Sequence, residues 1–137
     1  MITDNYTTIG MDVSDRKIQV CIMTKSGTNP KIVKETTIPT TKEGVQKFLS
    51  TQDKNAPVVF ETGTHCRWMN EVAESMGFKV YVANPCRLRM ITESKTKNDI
   101  NDARTLARIA LSDPGMLHPV KLRDAEHQKM LNLHEMR

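Results

Sequence analysis

The chain has 137 residues and a mass of 15.6 kDa, which suits one domain with a buried core and is too little for two. Its hydrophobic fraction of 38% and charged fraction of 26% are typical of a folded protein and exclude collagen-like, low-complexity and largely disordered chains. The net charge of +4 favours a polyanionic partner, and no apolar run approaches the ~20 residues of a membrane helix.

Three cysteines, Cys21, Cys66 and Cys86, form no Cys-x-x-Cys pair, which argues against a disulfide framework and a zinc site. We expect them to be reduced thiols. The N-terminus has neither a basic start nor an apolar stretch, so we expect no secretory signal and a cytoplasmic protein.

The first forty residues predict three strands. Residues 7–13 and 17–24 alternate apolar and polar side chains across a short polar turn, and residues 31–38 are rich in β-branched side chains. Strands this close in sequence, joined by short turns, form an antiparallel meander.

The pattern then changes to helical spacing over residues 41–51, with Thr41 as the predicted N-cap. After a proline, residues 58–60 predict a short buried strand, and Glu61 follows at its carboxyl end. The spacing of apolar residues therefore changes from that of a strand to that of a helix and back to that of a strand.

The second half of the chain continues this alternation. A helix around Trp68 is predicted to end at Gly77, and residues 79–83 predict the next strand. Residues 84–93 predict a helical stretch, and residues 99–111 predict a strong helix.

The last segment, residues 124–137, has a helical composition and ends without a cap or a breaker. We therefore expect this chain to be a piece of a longer protein, or its tail to dock on a partner.

These elements predict an α/β fold in which a three-strand meander is followed by βα units and flanking helices. This order is typical of a ribonuclease H-like mixed sheet. A flavodoxin-like sheet is the alternative, and the opening meander disfavours it.

Four acidic residues stand where a solvated surface charge is not expected: Asp12, Glu61, Asp99 and Asp102. Asp12 lies in an otherwise apolar strand, and Glu61 follows a buried strand at the end where open α/β sheets hold ligands. Asp99 and Asp102 are three residues apart, so they extend the apolar face of the strong helix toward its N-terminus.

Clustered carboxylates repel one another unless a cation lies between them. Carboxylates from two strands and one helix suit a pair of Mg²⁺ or Mn²⁺ ions that act on a phosphodiester. Each acid alone also has an ordinary structural interpretation, as an acceptor of backbone N–H groups, a helix cap or a turn residue. Only their combination favours a shared metal site.

Three segments resemble the acidic blocks of the DEDD-type transposases of bacterial insertion sequences and of the related Piv-like DNA invertases. They are residues 9–17, residues 60–64 and residues 95–103, the last of which ends in Asp-x-x-Asp-Ala. The resemblance implies a RuvC-like, ribonuclease H-like catalytic domain over residues 1–122. It also implies that residues 123–137 begin a truncated helical linker or assembly arm.

The resemblance implies a catalytic, metal-binding tetrad of Asp12, Glu61, Asp99 and Asp102 that uses Mg²⁺ or Mn²⁺. It implies a bacterial or archaeal transposase or site-specific recombinase that cleaves and exchanges DNA strands during transposition or inversion. In this family a C-terminal domain contributes a nucleophilic serine, which we expect this chain to lack. Some members use a structured guide RNA, and we expect the full-length protein to be a homo-oligomer.

Six basic residues are candidates for nucleic-acid contacts under this interpretation: Arg87, Arg89, Lys95, Lys97, Arg104 and Arg108. A solvated basic surface is the alternative for each of them.

Two other functions remain open. One is a non-catalytic nucleic-acid-binding or assembly module with the same fold, and the other is an actin-like ATPase or sugar kinase, which the absence of any Gly-x-Gly disfavours.

Overall fold

A computed structural model describes residues 6–26, 29–84 and 103–112 of the chain. Within these ranges lie β1 (Tyr6–Val13), β2 (Lys17–Ser26), β3 (Asn29–Pro39), α1 (Lys42–Leu49), β4 (Val58–Glu61), α2 (Cys66–Ser75), β5 (Val80–Ala83) and α3 (Ala103–Ser112). None of the helices in the described part of the chain is long and apolar enough to cross a membrane.

The strands form one mixed sheet in the order β3-β2-β1-β4-β5. The first three strands are antiparallel, which confirms the predicted meander, and β4 and β5 run parallel to β1. Parallel neighbours need a crossover connection, and α2 supplies it between β4 and β5. Strand β1 therefore lies at the centre of the sheet, between an antiparallel and a parallel neighbour.

The helices pack on both faces of the sheet. On one face, Ile9 and Met11 of β1 belong to a core that includes the buried side chains of α1 and α2. On the other face, α3 packs its buried side chains against β2, β4 and β5 in two further clusters. The sheet is therefore the middle of three layers.

Helix α3 approaches the central strand closely at two small residues. A Cβ atom on Gly10 would lie 2.3 Å from the carbonyl oxygen of Ala103 and 2.8 Å from the amide nitrogen of Ala107. The hydroxyl of Thr8, which is fully buried, donates a 2.9 Å hydrogen bond to the carbonyl oxygen of Ala107. Thr8 therefore lies beside Ala107, and Gly10, further along β1, lies beside Ala103, the first residue of α3.

Local signals correctly predicted where two of the helices begin or end. Thr41 caps α1, and its hydroxyl oxygen accepts a 3.0 Å hydrogen bond from the N–H of Gly44. Gly77 follows α2 with a φ of 94°, in the left-handed region that glycine adopts without strain. Helix α1 is shorter than predicted, because beyond Leu49 the backbone N–H groups of Thr51 and Gln52 bond to carbonyl oxygens three residues back instead of four.

Parts of three predicted helices lie outside the described residues. These parts are residues 85–93 of the stretch after β5, residues 99–102 of the strong helix, and the tail over residues 124–137. The described part of the strong helix, α3, has the predicted apolar face, since Ala103, Leu106, Ala107 and Ala110 are all buried.

Candidate carboxylate site

Two of the four predicted acids lie at the carboxyl ends of neighbouring parallel strands. Gly10 pairs with Val59, so the same register sets Asp12 level with Glu61, two residues further along each strand. Gly10 and Val59 both face α3, and side chains alternate along a strand, so both acids lie on that face as well. Neighbouring strands are about 4.8 Å apart, which brings the two carboxylates within reach of one ligand.

Both carboxylates line one cleft with a volume of about 150 Å³. Its walls also include Asp15 from the β1–β2 turn, residues 62–65 between β4 and α2, and Leu106 of α3. Asp12 and Glu61 are each half-buried. The cleft therefore presents two carboxylates that are partly withdrawn from water and partly exposed to it.

Hydrogen bonds fix the backbone that follows each acid in the sequence. The N–H of Ser14 donates to the carbonyl oxygen of Lys17 at 2.9 Å, which closes the turn after Asp12. The N–H of Thr62, directly after Glu61, donates to a carbonyl oxygen of β5 at 3.0 Å. The backbone on which Asp12 and Glu61 lie is therefore held in place by the sheet.

The chemistry of this pair fits a hard divalent cation. Mg²⁺ and Mn²⁺ prefer carboxylate oxygens, and Asp12 and Glu61 offer them from two adjacent strands. The described ranges contain no group of three or more His, Cys, Asp or Glu side chains placed to hold a metal ion. Asp99 and Asp102, the other two predicted ligands, lie outside those ranges. Asp12 and Glu61 are thus the half of the predicted tetrad that the structure describes.

Only two of the six predicted basic contacts fall in the described residues, and Arg87, Arg89, Lys95 and Lys97 lie outside them. Arg104 and Arg108 are both exposed on α3. Arg104 makes a two-pronged ion pair with Glu35 of β3, in which Nη2 lies 2.8 Å from Oε1. Its guanidinium is therefore engaged within the protein, a contact that the sequence analysis did not foresee.

This ion pair predicts a pH-dependent contribution to stability. The hydrogen bond from Arg104 holds the pKa of Glu35 below its ordinary value, so the folded state favours the ionised carboxyl. The contribution is therefore present above the unfolded pKa of about 4.3 and is lost as the pH falls through the lower folded pKa. We expect Glu35→Gln to lower the melting temperature slightly at pH 7 and not at all in strong acid. Thermal melts of both proteins from neutral to acid pH test this, and a difference that is constant with pH would contradict it.

A histidine also lines the cleft, although nothing in the local sequence pattern marks it. The Nε1–H of Trp68 donates to Nδ1 of His65 at 3.0 Å, and Nε2 of His65 lies 3.1 Å from Oδ1 of Asp15. Trp68 is half-buried and packs against the core, as the helical spacing around it indicates. The β1–β2 turn and the connection after β4 therefore meet beside the two carboxylates.

Comparison with known protein families gives one clear relationship. A sequence model of a transposase family, the DEDD-type family of IS110, matches residues 9–137, nearly the whole chain. The matched region includes both described carboxylates and all of α3. No curated protein gives a match to the sequence. The chain belongs to the DEDD-type IS110 transposase family.

Proposed function

We propose that this chain is the N-terminal catalytic domain of a transposase or site-specific DNA recombinase, and that its carboxylates bind the divalent metal ions used to cleave and exchange DNA strands. Membership of a transposase family supports a DNA-cleaving enzyme. The observation that supports the metal site is that Asp12 and Glu61, which lie at the carboxyl ends of adjacent parallel strands, both line one cleft.

The sheet supports a RuvC-like, ribonuclease H-like fold for this domain. An antiparallel meander followed by parallel strands with a crossover helix is the arrangement expected from the sequence for that fold. We assign residues 1–122 to this domain and residues 123–137 to the start of a helical arm.

The position of α3 supports Asp99 and Asp102 as the remaining two ligands. The carbonyl oxygen of Ala103 lies against Gly10, which is two residues before Asp12 on the same face of β1. Asp102 directly precedes Ala103 in the sequence, and Asp99 comes three residues earlier. The chain therefore enters α3 near the end of β1 that carries Asp12.

A pair of Mg²⁺ or Mn²⁺ ions, when bound, activates the attacking oxygen and stabilises the leaving oxygen at a phosphodiester. The contribution of this chain is to set the ligand spacing, since Asp12 and Glu61 stand on two strands of one sheet rather than on loops. Arg108 is exposed on α3 and fits a contact with a nucleic-acid phosphate. Arg104 fits that role less well, because Glu35 already engages it.

The remaining partners belong to the full-length protein. We propose DNA as its substrate, a second domain that bears the nucleophilic serine, and assembly into a homo-oligomer. A structured guide RNA, which some members of the family use, is a further proposed partner.

Calorimetric titration with Mn²⁺ tests the metal site. We expect the wild-type chain to bind Mn²⁺, and Asp12→Asn and Glu61→Gln each to weaken binding at least about tenfold, because each removes an ionised ligand. Glu71→Gln is the matched control, since Glu71 is exposed on α2 outside the cleft. Circular dichroism must show that every variant is folded.

Equal affinities in all four proteins would show that the two acids are not ligands. Absence of Mn²⁺ binding by the folded wild-type chain would instead favour the second candidate function, a non-catalytic nucleic-acid-binding or assembly module.

A further inference from the structure

Two side chains connect the two loops that leave the carboxylate strands. Asp15 lies in the turn three residues after Asp12, and His65 lies in the connection four residues after Glu61. Nε2 of His65 and Oδ1 of Asp15 are 3.1 Å apart, although their residues are 50 positions apart in sequence. This contact joins the two loops beside the cleft that both residues line.

The partners of His65 determine which of its ring nitrogens carries the proton. An indole N–H only donates, so Nδ1 of His65 must accept the 3.0 Å hydrogen bond from Trp68. The neutral ring then carries its proton on Nε2 and donates it to the carboxylate of Asp15. Trp68 therefore selects the tautomer of His65 that can hold Asp15.

The histidine is the anchored partner in this contact, and the aspartate is the exposed one. The side chain of His65 is 24% exposed, whereas that of Asp15 is 90% exposed. The ring of His65 meets the ring of Trp68 edge-on, with centroids 5.9 Å apart, and Trp68 packs against the core. An exposed contact of this kind contributes little to global stability. Its consequence is therefore local, at the turn that follows Asp12.

We propose that His65 is a positioning residue for the carboxylate site. Held in one tautomer by Trp68, it binds Asp15 and so maintains the spacing of Asp12 and Glu61, on which cation affinity depends. This inference rests on the proposed function, because it concerns the same two ligands. Outer residues that orient metal ligands commonly change metal affinity by 10-fold to 100-fold when they are replaced.

The tautomer is tested without metal by long-range ¹H–¹⁵N correlation spectra of the histidine rings in the whole chain. We expect the wild-type ring of His65, identified by its loss in His65→Phe, to carry its proton on Nε2. In Trp68→Phe, which keeps an aromatic ring and removes the N–H, we expect this preference to weaken. A wild-type ring protonated on Nδ1 would overturn the inference.

The positioning role is tested by Mn²⁺ calorimetry on Asp15→Ala, His65→Phe and the double variant. We expect each single variant to bind Mn²⁺ about tenfold more weakly than the wild-type chain. The double variant should bind Mn²⁺ no more weakly than the single variants, because either substitution alone already removes the contact between His65 and Asp15. Asp15→Asn keeps the accepting oxygen and removes the charge, so we expect it to retain most of the wild-type affinity. Melting temperatures should change little throughout.

The outcomes separate this inference from the proposed function. If the wild-type chain binds Mn²⁺ and both Asp15→Ala and His65→Phe bind it equally well, the positioning role is wrong while the metal site stands. A loss in Asp15→Asn as large as that in Asp15→Ala would show a charge effect and would also overturn the positioning role. If the folded wild-type chain binds no Mn²⁺, the proposed function and the positioning role fall together.

Discussion

Replacing Gly10 with alanine is expected to lower the free energy of unfolding by about 3 kcal/mol, because the new methyl group overpacks a closed interface. Its Cβ would lie 2.3 Å from the carbonyl oxygen of Ala103 and 2.8 Å from the amide nitrogen of Ala107. Both atoms belong to the backbone, so no side-chain rotation relieves the clash. Helix α3 must move away from β1, and urea denaturation followed by circular dichroism measures the cost.

Gly63→Ala is the matched control for this substitution. A Cβ atom at Gly63 has no other heavy atom within 4 Å, so the free energy of unfolding should change by less than about 0.5 kcal/mol. If Gly10→Ala is as stable as Gly63→Ala, α3 does not dock on β1 in the way described.

The strands and the helix ends could be predicted because their signals are local. The alternation in residues 7–13 and 17–24, the capping side chain of Thr41 and the glycine at position 77 each act within a few residues. The prediction that Asp12 and Glu61 belong to one metal site also started from such signals, because Asp12 lies in an otherwise apolar strand and Glu61 directly follows one. Their level placement depends on the pairing of β1 with β4, which local patterns do not specify.

The contacts that position α3 and the cleft could not be predicted, because their partners are far apart in sequence. Thr8 and Ala107 are 99 positions apart, and Arg104 and Glu35 are 69 positions apart. Each contact depends on how the completed sheet and α3 pack. The pattern of the sequence reports which face of a helix is buried, and it does not report which atoms that face will meet.

The close approach of α3 to Gly10 is a long-range contact that the sequence does signal. A glycine inside a strand weakens it, and it commonly marks a place where another backbone approaches closely. In this chain the approaching backbone is the first turn of α3, which begins one residue after Asp102. Helix α3 therefore links Gly10, which permits its close packing, with Asp99 and Asp102, the proposed metal ligands that precede it in the sequence.

If Asp99 and Asp102 bind metal as proposed, metal binding and α3 docking are interdependent, which leads to the second large effect. At free Mn²⁺ 100 times its dissociation constant, binding to the folded state alone raises the stability of the wild-type chain by about 2.7 kcal/mol. We expect a clear rise in its melting temperature with Mn²⁺. In Asp12→Asn at the same concentration we expect at most about half that rise, because binding that is tenfold weaker or more leaves no more than about 1.4 kcal/mol of stabilisation. Thermal melts with Mn²⁺ and with a chelator, followed by circular dichroism, measure the difference.

Gly10→Ala distinguishes two sources of this stabilisation. If α3 brings further carboxylates to the site, moving it away from β1 should weaken Mn²⁺ binding, so the rise in melting temperature should be much smaller than in the wild-type chain. If Asp12 and Glu61 alone hold the cation, Gly10→Ala should keep the full rise even though it starts from a lower melting temperature. A full rise would therefore remove Asp99 and Asp102 from the proposed tetrad, because the strand carboxylates would then bind the cation without help from α3.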